Sequence, residues 1–198
     1  MSMRVRAFVW AGAIVLWAQS APVTVSLSAP VKGPVELMIR NHARTAVTAY
    51  AVTVSYTANG STAAQDLIWD SALRLSTPEL EPNEAAVRRL AVSPANASVA
   101  LRAVVFADGR TSGESAWIGR IVSQRRFALA AIDGVRKILP DARPEDLEAA
   151  RREKLAAAAA PEEKSLIDDY YRLATPRHAR DLDLLYARLA AAVAPSVN

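Results

Sequence analysis

The chain has 198 residues, 24 basic and 20 acidic side chains, and 52% hydrophobic residues, which suits one or two small globular domains. It contains no cysteine, so a disulfide scaffold, a cysteine nucleophile and a thiolate metal site are excluded. A formal charge of +4 looks basic, but the charge is not concentrated in any one segment.

Residues 1–20 read as a secretory signal peptide. Arg4 and Arg6 form a short basic start, Ala7 to Ala18 is an apolar run, and Ala18 and Ser20 are small residues at the −3 and −1 positions of a cleavage point. Such a run is short for a membrane span, which needs about 20 residues. No lipid-attachment cysteine follows it. The pattern therefore predicts a bacterial periplasmic or secreted protein, cleaved after Ser20, with no stable membrane span afterwards.

Residues 21–113 show short runs rich in Val, Thr and Leu, separated by turn residues. Val23 to Leu27 and Val35 to Ile39 are the first two predicted strands. Ala46 to Tyr56 is the longest, and its set Thr48, Tyr50, Val52, Val54 and Tyr56 is predicted to face the core. Asn59-Gly60 supplies a tight turn, and Leu67 to Trp69, Ala85 to Val92 and Val99 to Phe106 are further strands. Asp108-Gly109 is another turn, and His42 reads as part of a hairpin loop. Six or seven short strands punctuated in this way predict an antiparallel β-sandwich.

From Glu114 the period becomes helical, with Ile118, Ile121, Val122, Leu129, Ile132 and Leu139 on one face. Arg125 lies among them and is read as snorkelling or pairing at the edge of that face. Pro144-Glu145-Asp146 and Pro161-Glu162-Glu163 open two further helices, with proline in the first turn and acids at the positive end of the dipole. Thr175-Pro176 precedes a fourth, on which Leu182, Leu185, Tyr186, Leu189 and Val193 share a face. The whole is an α+β reading: an N-terminal antiparallel immunoglobulin-like β-sandwich over 21–113, then a C-terminal region of about four α-helices over 114–198.

Little in the sequence points to catalysis. His42 and His178 are the only histidines and neither has a second ligand at metal-binding spacing. No nucleophile elbow or phosphate-cradling loop is present. No catalytic residue, metal ligand or cofactor is therefore assigned, and the chain reads as a non-enzymatic binding or scaffolding protein. Trp69, with Tyr50 or Tyr56 beside it, is the candidate ligand platform for a cell-envelope glycan or peptidoglycan. A hydrolase would instead draw on acids such as Asp66, Asp70, Asp168 and Asp169.

Loss of Arg4 and Arg6 with the signal lowers the formal charge to +2. Residues 21–113 hold eight basic and seven acidic groups, and residues 114–198 hold fourteen and thirteen. Such balance argues against nucleic acid and leaves a protein partner or an envelope glycan.

Val35 to Asn41, followed by Ala46 to Tyr56, is similar to small immunoglobulin-like modules of exported bacterial proteins, including the FxLYD type, although that signature itself is absent. In those modules a strand ends at an Asn, and a Leu-x-Pro-Gly turn commonly precedes a later strand. Leu80-Glu81-Pro82-Asn83 stands in that place here, with Asn tolerating the left-handed conformation as Gly does. The resemblance covers residues 30–110 and implies a binding module.

Overall fold

The computed structural model describes residues 21–28, 34–58, 60–91 and 96–194. The signal pattern and Asn59 of the Asn59-Gly60 turn lie outside the described residues. The strands are β1 (Val23–Ser28), β2 (Val35–Asn41), β3 (Val47–Ala58), β4 (Ser61–Asp70), β5 (Ala85–Leu90), β6 (Ser98–Phe106) and β7 (Thr111–Gly113). The helices are α1 (Ser115–Ile138), α2 (Pro144–Ala157), α3 (Pro161–Leu173) and α4 (Ala179–Val193). Single 3-10 turns lie at Ser71–Leu73 and Pro176–His178.

The expected immunoglobulin-like β-sandwich is corrected, while the α+β class and the helical C-terminal region are as expected. The chain is a mixed α+β fold: one antiparallel sheet of three strands, β1-β2-β5, a second of four, β4-β3-β6-β7, and four C-terminal helices. What overturns the sandwich reading is β3, whose sheet packs on the other sheet with one face and on a helix with the other. Its set Tyr50, Val52 and Val54 faces a core shared with Val35, Leu37 and Ile39 of β2, as alternation predicts. The opposite set is not a solvent face, because Ala49 and Ala51 are fully buried against Ile121 of α1. The four-stranded sheet thus carries core on both faces, and the small alanine side chains let the helix approach closely.

A register shift between Val47 and Ala49 interrupts the alternation. Val47 consequently joins the inter-sheet core, and the Thr48 hydroxyl accepts a hydrogen bond from Arg125 on the helix side. The third core lies among the helices, where Ile132, Val135, Leu166, Tyr170, Leu182, Leu185 and Leu189 pack with Ala72 and Leu73.

Polar residues fix the connections. His42 does not sit in a hairpin, since β2 and β3 belong to different sheets. Asn41 makes that crossover: its buried side chain donates to Leu80 O at 2.9 Å and Thr45 O at 3.0 Å, and accepts from Ala43 N at 2.9 Å. Asn83 adopts φ 64°, the left-handed conformation expected of it. Gly113, at φ 111°, joins sheet to helix, and a Cβ there would run into the Arg102 carbonyl, so only glycine fits.

Candidate functional site

Tyr50 and Trp69 are cross-strand partners on β3 and β4. Their rings stack at 5.0 Å with an interplanar angle of 15°. Tyr50 is only 2% exposed, and burial pushes its phenol above the ordinary value against the pull of the Arg88 guanidinium. Trp69 is half-buried against the same core, and Arg88 of β5 lies 5.9 Å from its ring centroid. Tyr56 is also half-buried against this cluster, further along β3. The structure therefore brings Tyr50 and Trp69 together, but as a stacked pair with one ring inside the core. Arg88, from the other sheet, is the member that sequence reasoning missed; no local spacing connects it to β4.

The four acids considered for hydrolysis are separated, each held by an arginine. Asp66 lies 3.7 Å from Arg120, Asp168 lies 2.7 Å from Arg151 and Asp169 lies 2.9 Å from Arg74. Adjacent helical residues diverge by about 100°, so Asp168 ties α3 to α2 while Asp169 ties it to the chain after β4. Tyr170 points inward between them and donates to Leu73 O at 3.2 Å.

Among the described residues, Asp70 and Arg125 form the most buried ion pair. Their side chains are 0% and 3% exposed, and the guanidinium grips the carboxylate at 2.7 and 3.0 Å. Asp70 also accepts from Ala72 N at 2.9 Å, and Arg125 donates to the Ala192 carbonyl at 3.3 Å. Burial pushes the Asp70 carboxyl up, against the opposing pull of Arg125 and Ala72 N–H. Arg125 is thus not at the edge of its helix face: it is central, in a buried seam of Ile121, Arg125, Ala128, Ile132 and Val135. The spacing of four, three, four and three could have revealed this. An unpaired arginine there was implausible, and its partner lay fifty-five residues earlier.

Beside these residues lies an open groove of 760 Å³ between β4 and α1. Gln65, Asp66, Leu67 and Ile68 form one wall, and Ala116, Gly119, Arg120 and Ser123 form the other. Ala160, Glu162 and Glu163 close one end, where Glu163 accepts from Ala159 N at 3.0 Å and Ala160 N at 3.3 Å. Among the described residues, no cluster of three or more His, Asp or Glu is placed to hold a metal ion. No helix among them is long and apolar enough to cross a membrane.

No known family model, curated protein or solved structure matches the chain. The likeness to immunoglobulin-like modules thus rests on the cadence of residues 30–110 alone.

Proposed function

We propose that the protein is an exported, non-enzymatic binding or scaffolding protein that engages a protein partner through the groove between β4 and α1. The carrying observation is that groove: a long strand edge and a helix face lie side by side with 760 Å³ of open space between them. Export is supported by the basic, apolar and small-residue order of residues 1–20. A binding role is further supported by the use of Asp66, Asp70, Asp168 and Asp169 as anchors for arginines. Glycan recognition has less support, because Tyr50 offers no free ring face beside Trp69.

The test is capture from periplasmic extract with the mature chain as bait, combined with cell fractionation. A reproducible partner, and a mature amino terminus at Ala21 in the exported fraction, are expected. Repeated capture of nothing by a monomeric chain would overturn the binding role, and retention in the cytoplasm would overturn the export.

A further inference from the structure

The edges of the two sheets are unequal. β7, at one end of the four-stranded sheet, has three residues. β1 and β5, the edges of the other sheet, have six each, and β5 presents Arg88 and Arg89. β4 has ten residues, paired to β3 in unbroken register from Ala49↔Asp70 to Ala58↔Ser61. It contains no proline, no lysine and no arginine. Short length, bulges, prolines and basic side chains are how natural sheets prevent an edge from pairing with another chain. β4 has none of these.

Its one charge in mid-strand, Asp66, is drawn sideways. The Thr53 hydroxyl donates to it at 2.8 Å and Arg120 approaches to 3.7 Å. Alternate N–H and C=O groups of an edge strand point away from its sheet. Among the described residues, no backbone group outside the sheet pairs with residues 61–69. The wall facing this edge is kept low by Ala116, Gly119 and Ser123, and a Cβ built on Gly119 would meet nothing within 4 Å. The groove walls carry Asp66, Glu162 and Glu163 against Arg120, an acidic balance.

We infer that β4 accepts an additional strand: an extended segment of a partner protein bearing lysine or arginine, lying between β4 and α1. This deepens the binding role proposed above and rests on it. Main-chain pairing along Gln65 to Trp69 spans roughly 17 Å, at about 3.4 Å per residue, and supplies affinity without demanding a particular sequence. The acidic walls then select for basic side chains. A second copy of the chain is disfavoured as occupant, because β4 against β4 brings two acidic walls together.

The probes are three end-capped eight-residue peptides: alternating lysine and valine, the same with glutamate for lysine, and the same with proline at every second position. Binding to the mature chain is read by calorimetry, and the location by hydrogen exchange. The lysine peptide is expected to bind about tenfold or more tighter than the glutamate peptide, as several exposed ion pairs become repulsions. It should slow exchange in β4, and the proline peptide should not bind. Gly119→Trp, which fills the groove, should abolish binding. Glu162→Lys, on the surface and apart from any core, should weaken it and serves as the second variant should Gly119→Trp fail to fold. Equal binding of the glutamate peptide, protection elsewhere than β4, insensitivity to both variants, or a concentration-dependent dimer protected at β4 would each overturn the assignment. So would failure of all three peptides to bind; if the chain still captures a partner from extract, the general binding role survives and this strand-addition reading does not.

Discussion

α1 and α2 are both arginine-bearing helices, yet they hold to the molecule by different physics. α1 lies between the four-stranded sheet and α4, with Ile121 under Ala49 and Ala51 and with Ile132 and Val135 in the helical core. Its Arg125 is out of water and bound on all sides. α2 has no buried residue; its half-buried Leu147 packs at the margin of the helical core, and Arg151 reaches Asp168 of α3 while its own turn supplies Glu148. Arg125 is a commitment of the fold, because its desolvated charge must be matched. An arginine in α2 remains hydrated, and its pairs are worth little individually.

The difference is broken most severely at the buried pair. Arg125→Met leaves the Asp70 carboxylate buried without its partner, and Asp70→Asn leaves the guanidinium uncompensated. Either is expected to cost about 3–5 kcal/mol, read as the loss of unfolding free energy in urea. Replacing both residues with leucine should recover much of that loss, because two well-packed apolar groups need no solvation. A double variant as unstable as the sum of its singles would contradict this account.

A smaller effect is expected where sheet turns into helix. Gly113→Ala imposes a side chain at φ 111° and against the Arg102 carbonyl, which Glu114 N also uses at 2.8 Å. Backbone strain of this kind costs about 1–3 kcal/mol, and the lost stability should show as a lower urea midpoint. Gly60→Ala is the control: it shares a positive φ of 77°, but a Cβ there meets nothing within 4 Å. It should lose less, and equal losses at both positions would mean that the close approach to Arg102 is irrelevant.

Gly113 also illustrates where the sequence was readable. Most strand and helix positions followed from period two and period 3.6, although only Leu67 to Trp69 of β4 was read as strand and β7 was not, and the Pro-acid openings placed α2 and α3 at Pro144 and Pro161. The inward set of β3 was legible because large apolar residues alternate there. The other face was not, since Ala49 and Ala51 look neutral until α1 covers them. Trp69 and Tyr50 stood out as aromatics, but their stacking and the approach of Arg88 depend on strand register and sheet pairing. The open edge of β4 was illegible for the same reason. Being an edge is a property of strand order, and nothing in residues 61–70 states which neighbours are missing.

The smallest effects belong to α2, and acid separates it from α1. Arg143 holds the Asp146 carboxyl below its ordinary value, and Arg152 together with Arg151 does the same for Glu148. A carboxyl depressed in the fold contributes stability that is present above its unfolded value and is lost as pH falls through the folded one. On lowering pH through about 4 and below, where free carboxylates protonate, the start of α2 therefore loses its Arg143–Asp146 contact and the Glu148 pairs weaken. Backbone carbon chemical shifts should show α2 drifting toward coil while α1 keeps its helical values. Arg151→Ala should produce the same local loosening at neutral pH, with little change in the urea midpoint. Were α1 and α2 to lose helical shifts together on acidification, the ion pairs of α2 could not be its separate hold on the molecule.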